Sequence, residues 1–200
     1  MQDFDLYLAS ASPRRKALLE QLGLTLQIVP ADIDESRMLQ EPAKDYVLRL
    51  AQSKAKAVFE RLQNKNDITE HNLQPVLAAD TVVVLGEQVF GKPVDEDDAM
   101  RIWRQLSANT HSVMTAIALI GQGAVYTAIS VSEVRFVELD DTTMQQYWRS
   151  GEPVDKAGGY AIQGAASAWV ESISGSYSGV VGLPLFELNQ LLKQVDLNWL

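Results

Sequence analysis

The chain has no cysteine and only two histidines among its 200 residues. The first absence removes disulfides, thiolate metal sites and thiol nucleophiles together. The second leaves little for imidazole chemistry: His71 and His111 stand in unrelated settings, with neither metal-ligand spacing nor a Ser-His-Asp arrangement. They read as a surface-loop residue and a strand-entry residue. No apolar run approaches the ~18 residues of a membrane span, so no membrane partner is expected. Asp3 and Asp5 stand where a signal peptide carries positive charge. A G-x-x-x-x-G-K-[ST] loop is also missing, which disfavours an ordinary P-loop NTPase. Positive charge is in deficit, with 17 Lys and Arg against 26 Asp and Glu and a net charge of −9. Nucleic-acid binders carry a basic footprint, so no nucleic-acid partner is expected. A chain without cysteine suits a reducing cytoplasm.

What is present is a substantial core: 46% of residues are hydrophobic, enough for one domain over residues 1–200 or two lobes sharing one sheet. Leu6–Ala9 reads as a buried strand, followed by a helix over Pro13–Leu22 that closes at Gly23. Leu26–Val29 is a short strand and Glu41–Gln63 a long helix, after which Asn64–Gln74 is a polar loop. Val76–Leu85 is strongly β-like, with Val89–Phe90 pairing back onto it. Asp95 caps a helix to Leu106, and Ser112–Ile120 and Val125–Val137 form a hairpin about Gly121–Gly123. Asp140 or Asp141 caps a helix ending at Gly151. Short strands are expected at Tyr160–Ile162 and Trp169–Ile173, and a last helix over Pro184–Val195. Hairpins and helical crossovers together predict an α/β fold with a mixed sheet.

The most informative stretch is Leu8-Ala9-Ser10-Ala11-Ser12-Pro13-Arg14-Arg15. An apolar strand stops at a small-residue turn, and two arginines open a helix. Hydroxyls, free N–H groups and guanidinium forks thus meet at a helix N-terminus, where the dipole favours anions. The layout suits a phosphate cradle. It equally describes a helix with Ser12 as N-cap, Pro13 at N1 and two solvated arginines.

Charge also stands where a core should be. Lys54 follows Leu50 by four and precedes Val58 by four, on or beside the apolar stripe of the long helix. Such a lysine either snorkels to solvent or points inward to hold an anion. Asp80 interrupts Val76–Leu85, and a buried carboxylate needs a partner, a metal or the end of the sheet. It is a hydrogen-bonded structural residue, a metal ligand or a base for water. Glu35, in an acidic cluster with Asp32 and Asp34, reads by itself as solvated loop. Lys92 in Gly91-Lys92-Pro93 sits on a rigid turn, and Gln163 is an amide in a loop. Asp155 and Lys156 suit a loop ion pair. Basic residues at 14, 15, 54, 92 and 156 within an acidic chain fit a small polyanion better than a polymer.

Taken in order, Ser10-x-Ser12-Pro13-Arg14-Arg15, Ala79-Asp80-Thr81, Gly91-Lys92-Pro93, Asp155-Lys156-Ala157-Gly158, Gly175-Ser176-Tyr177 and Val181-Gly182-Leu183-Pro184-Leu185 span nearly the whole chain. Together they resemble the Maf family, nucleotide pyrophosphatases once described as septum-formation inhibitors. The resemblance implies a Maf/inosine-triphosphatase-like fold, a curved mixed sheet flanked by helices with a cleft between two lobes. It also implies hydrolysis of a nucleoside triphosphate to the monophosphate and pyrophosphate. Asp80 then matches the catalytic acidic residue, with Lys54 and Lys92 beside it. Ser10, Arg14 and Arg15 match phosphate contacts, and Thr81 and Gln163 match positions that select substrate. Glu35 and Asp80 match the holders of a divalent cation, Mg²⁺ or Mn²⁺.

Ser12-Pro13-Arg14-Arg15, Ala79-Asp80-Thr81 and Tyr160-Ala161-Ile162-Gln163-Gly164 most resemble the branch acting on dTTP, UTP and modified pyrimidine triphosphates. Two departures are Ala11, where glycine is common, and Ala165-Ala166-Ser167. The rival readings are a pyrophosphatase for 7-methyl-GTP or another purine triphosphate, and a non-enzymatic nucleotide- or DNA-binding division regulator. A homodimer is the one assembly left open. The same reading expects Lys54 to serve the anion site and not stability, so that a methionine there would hold or raise Tm.

Overall fold

A computed structural model describes residues 4–66 and 73–197. Seven strands form one mixed sheet in the order β2-β1-β3-β5-β6-β7, with β4 paired to β3. They are β1 (Leu6–Leu8), β2 (Leu26–Ile28), β3 (Val76–Leu85), β4 (Gln88–Phe90), β5 (Thr110–Gly121), β6 (Ala124–Phe136) and β7 (Val170–Ser174). The helices are α1 (Pro13–Gln21), α2 (Ala43–Asn66), α3 (Glu96–Leu106), α4 (Asp141–Arg149), α5 (Tyr177–Val181) and α6 (Leu185–Leu192). The α/β class with a mixed sheet is as expected from the sequence. The chain divides into two compact units: residues 1–80, 115–130 and 182–200, and residues 81–114 and 131–181.

In the first unit β1 lies between two parallel neighbours, with Leu6 opposite Leu26 and Tyr7 opposite Val76. Strands buried on both faces read as continuous apolar runs, and β1 and the first half of β3 do so. Leu6, Leu8, Leu77, Ile117 and Leu119 meet Leu183, Leu188 and Leu192 in one core, so the first strand and last helix share a hydrophobic interior. At the end of β1 the chain turns at once into α1: Ser12 caps it by accepting from the Arg15 N–H, and Pro13 takes the first helical position. The α2 stripe is buried as read, with Val47, Leu50, Ala51, Ala55 and Val58 all within 1% of zero exposure.

In the second unit β4 folds back antiparallel on β3, pairing Val83 with Phe90, and β7 runs antiparallel to β6. Asp95 caps α3 through the Asp98 N–H, and Asp140 caps α4 through the Thr143 N–H. An aromatic cluster fills this interior: Trp103 lies 5.4 Å from Tyr147 and 5.6 Å from Trp169, and Phe136 lies 4.9 Å from Tyr160. His111 stands at the start of β5, as expected, and is buried in that cluster with its Nε2 2.8 Å from the Tyr160 hydroxyl.

Three expectations change. The long helix persists to Asn66, so the first part of the expected polar loop is helical; His71 lies outside the described residues. Tyr160–Ile162 is buried but not a strand, because the Ala161 N–H goes to the Tyr147 hydroxyl instead of a neighbouring strand. The final helix divides into α6 and a 3₁₀ turn at Lys193–Val195, and the short α5 precedes it.

Candidate active site

The first group of site residues follows the C-terminal end of the parallel strand β1, where open α/β sheets bind ligands. Ser10 lies two residues beyond β1 and is 8% exposed. Its Oγ accepts from the Ser12 N–H at 3.2 Å and from Arg15 Nη1 at 3.1 Å. Arg15 also donates from Nε to the Gly182 carbonyl at 2.9 Å. Gly182 has φ +122°, a conformation that L side chains rarely adopt, so the glycine lets the backbone present that carbonyl. The guanidinium is thereby oriented by a hydroxyl and a carbonyl at opposite ends of the sequence. Arg14 is half-buried beside it on α1.

The second group forms around Lys54. Its Nζ lies 2.6 Å from Asp80 Oδ1 and 3.0 Å from Glu35 Oε1. Lys54 and Asp80 are 8% and 7% exposed, so water screens the pair poorly. Burial raises the Asp80 carboxyl above its usual range, while Lys54 and then Arg15 oppose the rise. Arg15 feels both Asp80 and Glu35, which ties the two groups into one electrostatic field. The stability half of the Lys54 expectation therefore needs correction. The ammonium is the partner of a buried carboxylate, so its removal leaves that charge unpaired.

Glu35 stands in a loop held from α2. The Tyr46 hydroxyl donates to the Glu35 carbonyl at 2.8 Å. Arg49 donates to the Ser36 carbonyl at 3.0 Å and makes two bonds to Glu41, at 2.6 and 2.8 Å. This fork holds the Glu41 carboxyl down at about 2. The sequence reading missed Tyr46, Arg49 and Glu41. Their available signal was the i,i+3 spacing of Tyr46 and Arg49, which shares one helix face. Asp34 is used locally, accepting the Ser36 N–H at 2.8 Å.

Among the described residues no three His, Cys, Asp or Glu side chains cluster as a metal site. Glu35 and Asp80 nevertheless fit a hard divalent cation in donor type, since Mg²⁺ uses one or two carboxylates and completes its shell with water and phosphate oxygens. Both carboxylates already converge on a single positive group, Lys54 Nζ.

Thr81 follows Asp80 on β3 and is half-buried. Lys92 and Gln163 are exposed in the second unit. The turn bearing Lys92 is fixed to the Asp155–Gly158 motif: the Gly158 N–H donates to the Gly91 carbonyl at 2.8 Å, and Trp103 Nε1 donates to the Gly158 carbonyl at 3.1 Å. Lys156 donates to the Val154 carbonyl at 3.2 Å. No helix among the described residues is long and apolar enough to cross a membrane.

A family model described as "Maf-like protein" matches residues 5–195. The chain is 50% identical over 189 residues to the dTTP/UTP pyrophosphatase of Hahella chejuensis, covering 94% of this chain and 91% of that protein. It is 49% identical over 193 residues to the dTTP/UTP pyrophosphatase of Anaeromyxobacter dehalogenans, covering 94% and 93%. For the one from Alkalilimnicola ehrlichii the identity is 44% over 194 residues, covering 97% and 94%. The match takes in the β1–α1 turn, β3 and the Gly182 segment together, and on it the chain belongs to the Maf family.

Proposed function

We propose that the protein is a nucleoside triphosphate pyrophosphatase that hydrolyses dTTP and UTP to the monophosphate and pyrophosphate. Near full-length identity of 43–50% to relatives bearing that name supports the reading. The observation that carries the chemistry is the buried Asp80–Lys54 pair beside Glu35 and Arg15. A water oxygen attacks the α-phosphorus, the bond to the β-bridging oxygen breaks, and the water proton passes to an Asp80 carboxylate oxygen. Burial suits Asp80 to this role, because a raised pKa brings a carboxylate base nearer the operating pH. Lys54 holds Asp80 in place and adds positive charge. Ser10, Arg14, Arg15 and Lys92 bind the phosphates and offset charge on the departing pyrophosphate. Thr81 and Gln163 are the base-selecting residues. Glu35 and Asp80 would hold a divalent cation, Mg²⁺ or Mn²⁺, which when bound neutralises phosphate oxygens.

We take residues 1–200 as one functional domain, with a small-molecule nucleotide as partner and the cytoplasm, where nucleotide pools lie, as its location. Nucleic acid has no part in the proposed reaction, and a homodimer is left to sedimentation. Chromatography of a dTTP reaction decides the function: dTMP and pyrophosphate are expected, and dTDP as first product overturns the assignment. A panel including UTP, GTP and 7-methyl-GTP, run with and without Mn²⁺, tests the substrate class.

A further inference from the structure

The segment carrying Gln163 belongs neither to the sheet nor to a long helix, and its backbone N–H groups are held by two side chains. The Ala161 N–H donates to the Tyr147 hydroxyl at 3.0 Å, and that hydroxyl donates to Glu152 Oε1 at 2.7 Å. The other carboxylate oxygen, Oε2, accepts the Ala165 N–H at 3.1 Å. Between these anchors the Gly164 N–H closes a turn on the Ala161 carbonyl at 3.0 Å. Both flanks of Gln163 thus end on one carboxylate. The contact is close enough that a Cβ at Gly164 would collide with the Glu152 carboxylate. Tyr147 is itself fixed, 5% exposed and stacked edge-on against Trp169 at 4.5 Å.

An exposed glutamine is a poor reader of a base edge unless its main chain is immobile, because geometry about 0.5 Å too loose forfeits a directed amide contact. We propose that Glu152 and Tyr147 are positioning residues that immobilise Gln163, so that discrimination for the pyrimidine base depends on both. The inference rests on the reading of Gln163 as a base-selecting residue. Burial tends to raise the Glu152 carboxyl, but the Tyr147 hydroxyl, the Ala165 and Ala166 N–H groups and Lys156 outweigh it, and the net shift is downward. The group therefore stays ionised at neutral pH and acts only as an acceptor, which is what its donors require.

Glu152→Gln preserves shape and places an amide NH₂ against one of those donors; Tyr147→Phe removes the bridging hydroxyl. Steady-state kinetics of the full chain with dTTP, UTP and GTP are compared for both variants, for Gln163→Ala and for Glu152→Gln with Gln163→Ala. Each clamp variant is expected to lower kcat/KM for dTTP and UTP by about tenfold, mainly through KM, with a much smaller change for GTP. The double variant is expected to be no worse than Gln163→Ala, and amide exchange at 161–166 is expected to quicken in Glu152→Gln. If Gln163→Ala collapses the pyrimidine preference while both clamp variants keep it, or lose all three activities equally, the clamp is overturned and the base reading survives. If Gln163→Ala keeps the preference, the base reading fails and the clamp falls with it. Should Glu152→Gln not fold, Tyr147→Phe decides by the same ratio.

Discussion

Lys54 Nζ and Asp80 Oδ1 stand 2.6 Å apart, and the two residues come from the middle of α2 and the middle of β3. Neither is tolerable alone in that interior: breaking a buried pair by removing one partner costs about 3–5 kcal/mol, since the other charge stays uncompensated. Glu35 adds a second carboxylate to the same ammonium from a far more exposed position. The lysine thus meets one buried and one exposed acidic group.

Asp80→Asn is expected to fold at a lowered Tm, with Glu35 still partnering Lys54, and to lose most turnover. The amide keeps the shape but accepts no proton and carries no charge, and loss of a general base typically costs ~10²–10⁴ in rate. Single-turnover kinetics on a variant with an unaltered circular dichroism spectrum measures this. Near-parental kcat would make Asp80 a structural residue.

Lys54→Met is expected to lower both Tm and turnover. Turnover should fall at least about tenfold, the factor given by ~1.4 kcal/mol of lost transition-state stabilisation. The stability loss arises from an unpaired Asp80, so adding Asp80→Asn should recover much of the Tm and none of the activity. Urea titration of the two variants checks the recovery. An unaltered Tm in the single variant would show that the pair does not hold the fold.

Acid should weaken the fold through His111. Burial lowers its pKa from 6.5 to about 4, so the folded state favours the neutral ring. The stabilisation is whole above 6.5 and is lost as pH falls from there through about 4, where the folded form also takes the proton. The shift corresponds to roughly 3 kcal/mol at neutral pH. His111→Gln keeps a polar group near the Tyr160 hydroxyl and cannot titrate, so its urea midpoint should vary less between pH 7 and pH 4 than the parent's. Parallel curves would exclude His111 as the acid-sensitive group.

Gly158→Ala is expected to destabilise by about 2–4 kcal/mol, combining left-handed backbone strain with overpacking. Gly158 has φ +66°, and a Cβ there would lie 2.8 Å from Val83 Cγ2. Thermal melting tests this, and a change under half a degree would mean the turn relaxes freely.

Much of this is legible in the sequence. Val76–Leu85 is a strand with the predicted ends because its apolar run has an unambiguous length, and Asp95 was recognisable as a cap from the helix that follows. Lys54 and Asp80 announced themselves as charges out of pattern. What could not be read was that each is the other's partner, because helix and strand periodicities fix a face and not a neighbour. Tyr160–Ile162 failed for a related reason. Its apolar residues made it look like a strand, yet the Ala161 N–H is satisfied by the Tyr147 hydroxyl, which leaves no periodic trace. Glu35 was legible only by resemblance, since the Tyr46 and Arg49 contacts that hold its loop depend on how α2 lies against it.

The bond from Arg15 to the Gly182 carbonyl joins residues 167 positions apart. A guanidinium that feels Asp80 is therefore aimed by a peptide unit from a distant part of the chain. Closing so long a loop is entropically costly and kinetically late. Leu183, Leu188 and Leu192 follow that carbonyl in the chain and pack with Leu6 and Leu8 of β1 in the same core. Orienting the phosphate-facing arginine and sealing the sheet's interior are thus one folding event, and a chain that has not closed this loop has neither.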